Sequence, residues 1–220
     1  MLTLHRAALV LPDPADPTAP SFPDGAVVVR GDHVEAVGPY AELAAAHPGA
    51  RVRDWGSAVL APGLRNPYGH WLLERAYHPD PREEIGVEPV ADGLAGSTDE
   101  TRCGASARRG LQRMLGFGVT AVAGPFERAS VRTAVARSGL AGVSGSAGVS
   151  GPSGLSGDEG AGPLDPLAVL PFAQAVHGRV AVGGRADFAV FAAVGDGRAE
   201  PVAGGCLATV LGGRLVYRRR

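Results

Sequence analysis

The sequence predicts an α/β protein. Three observations carry this: strand patterns crowd both ends of the chain, a helix–strand–helix pattern fills the middle, and no window approaches the roughly 20 apolar residues of a membrane span.

Leu2–Leu11 mixes alternation with apolar runs and reads as a strand. The segment PDPADPTAPSFPDG follows as a proline-rich loop, with Asp24-Gly25 as its turn signal. Gly25–Arg30 is rich in β-branched residues, Gly31-Asp32 is a tight turn, and His33–Val37 pairs back as a hairpin. Tyr40–Ala46 reads as a short helix, with strands at Arg51–Asp54 and Ala58–Leu60. Thr98–Gly116 has helical spacing through Leu111, Met114 and Leu115, with Ser97 or Thr98 as the cap and Glu100 in the first turn. Val119–Ala123 is a buried strand, and Phe126–Arg137 is a helix stopped by Gly139. Residues 141–163 hold a Gly/Ser-rich tract that buries little and reads as a loop. It has neither the lysine nor the strand–helix setting of a phosphate-binding loop. Residues 164–179 suggest a helix, from Leu164 to His177, weakened by Pro171. Asp187–Ala193, Cys206–Leu211 and Arg214–Arg218 are strands, with Gly212-Gly213 as the turn between the last two.

The composition is that of a globular protein, 45% apolar and 20% charged. A net charge of −1 gives no general attraction to nucleic acid or to an anionic membrane. All 21 basic residues are Arg, a bias read with the Ala, Gly and Pro content as genomic. Cys103 and Cys206 do not make a disulfide framework; both read as free structural thiols in a cytoplasmic protein.

Three pieces resemble the amidohydrolase superfamily, in its imidazolonepropionase and cytosine/adenosine deaminase-like branch. They are LAPGLRN at Leu60–Asn66, GFGVTAV at Gly116–Val122, and GGRADFAVF at Gly183–Phe191 followed by VLGGRLVYR. The resemblance implies a small composite β-sandwich from residues 1–62 and 180–220, beside a truncated, incomplete (β/α) barrel fragment at 63–140. It gives Asp187 a structural role between a turn and a strand.

The same resemblance exposes a departure. The family's hydrolytic centre begins with a His-X-His pair after the Pro-Gly-Leu-X-Asn strand. Here Tyr68 stands at the first position and His70 at the second. A phenol is a poor replacement for a neutral imidazole. A barrel needs roughly 250 residues, and the stretch between Gly118 and Gly183 is far too short to supply the later ligands. No cofactor is therefore expected; a rebuilt site holding Zn or Fe is the alternative.

The best cluster for such a site is HWLLERAYHPDPREE. His70, Glu74 and His78 recur at a four-residue spacing that shares a helical face, suited to metal ligation or to acid/base work. Tyr68, Trp71 and Tyr77 lie close by as candidate substrate-binding aromatics. Pro79 and Pro81 interrupt the pattern, and a solvated charged segment is the plainer reading. No Gly-X-Ser-X-Gly elbow is present, and nothing in the sequence places an activating base by Cys103.

Two functions follow. One is a non-hydrolytic protein that binds a ligand or partner; a cut barrel leaves open edges, which a homodimer or another protein would cover. The other is a hydrolase or deaminase of cyclic C–N bonds with a rebuilt or partner-completed site.

Overall fold

A computed structural model describes residues 2–145, 163–193 and 200–220. In chain order the elements are β1 (Leu2–Val10), β2 (Phe22–Arg30), β3 (His33–Pro39), α1 (Tyr40–Ala46), β4 (Arg51–Asp54), β5 (Ala58–Pro62) and β6 (Leu64–Asn66). The middle holds α2 (Gly69–Glu74), α3 (Glu100–Leu115), β7 (Val119–Ala123), α4 (Ala129–Ser138) and β8 (Ala141–Val143). A four-residue helix α5 (Phe172–Ala175) leads to β9 (Phe188–Ala192), β10 (Cys206–Leu211) and β11 (Arg214–Arg218).

Both chain ends build one mixed sheet, ordered β11-β10-β9-β5-β1-β2-β3, with β4 also paired to β1. Its seam is β5 against β9, antiparallel from Ala58↔Ala192 to Pro62↔Phe188. The opposite ends of this order meet. A Cβ on Gly213, in the β10–β11 turn, would lie 2.1 Å from the carbonyl oxygen of Gly31, in the β2–β3 turn. Backbone bonds reinforce the closure: Val34 donates to Gly184 at 2.9 Å and Ala186 to Asp32 at 2.7 Å. The sheet thus folds over a shared core of Val10, Val27, Leu60, Phe188 and Val210. Each such side chain contributes roughly 1.5–3 kcal/mol on burial.

Asp187 and Arg185 tie this closure to the rest. The Asp187 carboxylate accepts the Gly212 N–H at 2.7 Å and an Arg185 N–H at 2.7 Å. Arg185 also donates to the carbonyl of Gly139, at the end of α4.

The second sheet is parallel, β6-β7-β8, with α3 leading into β7 and α4 joining β7 to β8. Together they form an incomplete β/α barrel fragment. The buried face of α3 presents Cys103, Ala107, Leu111 and Met114. Asp99, not Ser97 or Thr98, caps it, accepting the Arg102 N–H at 3.0 Å. A carboxylate in the N-cap also meets the helix dipole, which a hydroxyl does not. Gly139 ends α4 at φ 83°.

Three further expectations are corrected. Asp24-Gly25 lies inside β2 and is not a turn; Asp24 takes φ 44° there and accepts from Arg6 at 2.7 Å. The Gly/Ser-rich loop does not begin at 141, because Ala141–Val143 pairs with β7; residues 146–162 of that tract lie outside the described residues. Residues 164–179 are not one helix. Asp165 caps a single 3-10 turn at Pro166–Ala168, and Pro171 starts the separate short α5. Two prolines without N–H groups divide the segment.

This return segment covers the barrel fragment from within. The buried Asn66 amide donates to the carbonyls of Pro163 and Leu164 at 3.0 and 3.2 Å. Leu64 bridges to Val176, and Leu164, Phe172 and Ala175 join Leu64 and Phe191 in the core. Among the described residues, no helix is long and apolar enough to cross a membrane.

Candidate functional site

Asn66 starts the site. Its side-chain oxygen accepts the Tyr68 N–H at 2.8 Å, which turns the chain from β6 into α2. Gly69 lets α2 sit on the end of β7: a Cβ there would lie 2.7 Å from the Ala123 carbonyl oxygen. His70 falls in the first turn and Glu74 at the end of α2.

Both line an open cavity of about 840 Å³, walled by α2, the 94–96 loop and the N-terminal ends of α3 and α4. Because α4 directly follows β7, the cavity lies on the side of the parallel sheet where its strands end, the face that carries chemistry in β/α barrels. Its polar lining alternates in sign: Glu74, Glu100 and Glu127 against Arg75, Arg128 and Arg132.

Most of this charge is committed. One Glu74 oxygen accepts the backbone N–H groups of Glu127 and Arg128 at 2.6 and 2.8 Å. Glu100 accepts the Ser130 N–H at 3.1 Å. Two carboxylates from neighbouring helices therefore hold the start of α4, where the dipole favours negative charge. Hydrogen bonding from Ser130, then the charge of Arg128, keeps Glu100 below the usual carboxylate range. Arg128 donates to the Ser97 carbonyl at 2.8 Å and lies 3.5 Å from Glu100. Among the described residues, no hydrogen bond ties the His70 ring.

His78 does not join this wall. The α2 helix ends at Glu74, and Tyr77 pairs with Val90 across a backbone bridge. The His78 ring turns inward, fully buried, with Nε2 2.8 Å from the Leu72 carbonyl oxygen. Gly110 of α3 makes room for it, since a Cβ there would lie 2.5 Å from Nε2. Burial drives its pKa down to about 4, against the pull of the Leu72 bond and with help from Arg113 and Arg109. The expected His70–Glu74–His78 face is thus reduced to His70 and Glu74.

The expected aromatic lining does not form either; none of the three rings borders the cavity. Tyr68 packs in the core. Tyr77 is buried, its hydroxyl donating to the Glu83 carboxylate at 2.6 Å, with Arg102 stacked 4.5 Å over its ring. Trp71 is half-buried under Arg75, 5.0 Å away. The residues that do line the cavity beyond His70 and Glu74 were hidden in the sequence. Glu100 had one signal, its first-turn position; Glu127, Arg128 and Arg132 had none.

These donors do not fit a hydrolytic metal. Among the described residues, no group of three or more His, Cys, Asp or Glu side chains could hold an ion. Glu74 and Glu100 already spend oxygens on backbone N–H groups, and Tyr68 is buried. Nucleophilic thiols do not offer a substitute. Cys103 is fully buried, and burial pushes the Cys206 thiol up to about 11.

Residues 25–50 match the model of the imidazolonepropionase-like composite domain of bacteria. No curated protein sequence matches the chain. Solved structures that resemble it include a guanine deaminase from Bradyrhizobium japonicum, at 18% identity and a TM-score of 0.49, over 65% of this chain and 34% of that one. An ochratoxinase from A. niger resembles it at 22% identity and a TM-score of 0.45, over 65% of this chain and 30% of that one. An aminofutalosine deaminase from Helicobacter pylori does so at 18% and 0.44, over 66% and 33%. The chain spans about a third of each of these proteins. The likeness of the sequence to the imidazolonepropionase-like composite domain thus rests on residues 25–50, in β2, β3 and α1.

Proposed function

We propose that this chain is a non-hydrolytic, amidohydrolase-like binding protein whose cavity between α2, α3 and α4 takes a small polar ligand. One observation carries the reading. Of the imidazoles the sequence offers beside β6, only His70 reaches the cavity, while His78 caps a carbonyl in the core. A single imidazole beside carboxylates already engaged with N–H groups can orient a ligand. It lacks the set of free ligands needed to lower the pKa of a water strongly. The alternating lining of carboxylates and guanidiniums suits a ligand carrying both a donor and an acceptor end, such as a zwitterion. Buried free thiols at Cys103 and Cys206 support a cytoplasmic setting.

The decisive experiment measures bound transition metal in untagged protein, together with turnover of guanine and of imidazolonepropionate. The expected result is far less than one metal per chain and no turnover with added Zn or Fe. Metal near one equivalent, lost in His70→Ala together with turnover, would overturn the reading in favour of a rebuilt hydrolase or deaminase site.

A further inference from the structure

The outer side of the barrel fragment carries two features that complement each other. Between α3 and α4 lies a groove of about 220 Å³. Its floor is Leu111, Leu115, Ala134 and Leu140, and its rim carries Arg108 and Arg137. Among the described residues, no acidic side chain lines it. Both arginines are exposed, and among the described residues neither has a carboxylate within ion-pair distance. Small-molecule pockets run to roughly 300–1,000 Å³; this groove is smaller, sized for a few aliphatic side chains.

On the other side of α3 the chain presents the opposite chemistry. The segment Glu84-Ile85-Gly86-Val87-Glu88-Pro89-Val90 is exposed apart from the half-buried Pro89, with Ile85 60% and Val87 65% accessible. Glu84 is exposed beside them, and among the described residues Glu88 meets only Arg113, at 3.7 Å and while 86% exposed. Such a pair is worth little and leaves the carboxylate free to turn outward. Two branched aliphatic residues standing in water between two carboxylates match an apolar floor between two guanidiniums.

We propose that the 84–90 loop of one copy docks in the α3–α4 groove of a second copy, and reciprocally. A two-fold axis needs groove and loop on one surface, and both flank α3. The apolar contact would supply affinity, and the rim charges would set orientation and salt dependence. This interface does not depend on whether the cavity at the strand ends binds or hydrolyses its ligand.

The test measures mass in solution by light scattering and sedimentation on the full chain, with folding of each variant checked by thermal melting. Wild type is expected at twice 22.3 kDa at high concentration, with association weakening as salt rises. The variants E84R/E88R and R108E/R137E are each expected to weaken self-association at least tenfold. Mixed one to one, they are expected to associate again, because both contacts of the mixed dimer are complementary, one with the wild-type charges and one with the charges swapped. Ile85→Asp, at an exposed position, should leave the fold intact and also give monomer. A wild type that stays monomeric at every concentration, or a dimer that ignores all three changes, overturns the proposal.

Discussion

The carboxylate of Glu74, the last residue of α2, accepts the backbone N–H of Arg128, the residue that caps α4, at 2.8 Å. With the parallel bond to Glu127 at 2.6 Å, this joins two barrel helices through one oxygen. Glu74→Ala should cost about 2 kcal/mol in urea unfolding, since hydrogen bonds to charged groups are worth ~1.5–3 kcal/mol. Glu74→Gln keeps an acceptor and should cost about half as much. Equal losses in both variants would mean that the carbonyl oxygen alone does not hold α4.

Two buried histidines make stability depend on pH. Burial, then the charge of Arg53, lowers His5 to about 3, and His78 sits at about 4. Folded, both are neutral at pH 7; unfolded, each protonates below about 6.5. The unfolded chain therefore binds more protons from pH 6.5 down to each folded value, and stability falls as pH falls through that window. Between pH 6 and 5, above the carboxylate range, the slope should approach ~1.4 kcal/mol per unit for each histidine. His5→Phe should remove one histidine's share of it, as read by denaturant titration at several pH values.

Gly110 lies within α3, where alanine is ordinarily better by ~0.8–1 kcal/mol. Gly110→Ala should nevertheless destabilise by about 1–3 kcal/mol, because the methyl group meets the buried His78 ring. In Gly110→Ala/His78→Ala the two effects should fail to add, the second change relieving the first. Strict additivity in this cycle would show that the ring moves aside at no cost.

Asn66 holds the return segment. Asn66→Leu removes its bonds to Pro163, Leu164 and Tyr68 and leaves buried carbonyls without donors. It should cost about 2–4 kcal/mol and speed proteolysis near Leu164. Asn66→Asp should cost at least as much, since a carboxylate would face the two carbonyl oxygens.

How far the sequence reached follows the range of the forces involved. Tyr40–Ala46, Val119–Ala123 and the Val29–Val34 hairpin depend on neighbours in the chain, and their patterns located them. The motif ending in Asn66 was visible as a motif, but its role rests on carbonyls nearly a hundred residues away. The His70–Glu74 spacing was legible because both sit within α2. His78 was misplaced because what ends that helical run is the Tyr77–Val90 bridge, and what draws the ring inward is the gap at Gly110. Neither leaves a mark in the local pattern. The helix expected at 164–179 failed for the opposite reason: Pro166 and Pro171 were plain to see, and their backbone restriction outweighed the apolar content.

The seam between β5 and β9 governs how the protein is made. Ala58 leaves the ribosome long before Ala192, its partner. At roughly 5–20 residues per second, β5 waits on the order of ten seconds for the strand that covers its edge. The hairpin of β2 and β3 can form early, but the core that Phe188 and Val210 complete cannot. Folding of the composite sheet is therefore a late event in synthesis, and nascent chains stalled before Phe188 will present a bare apolar strand to chaperones.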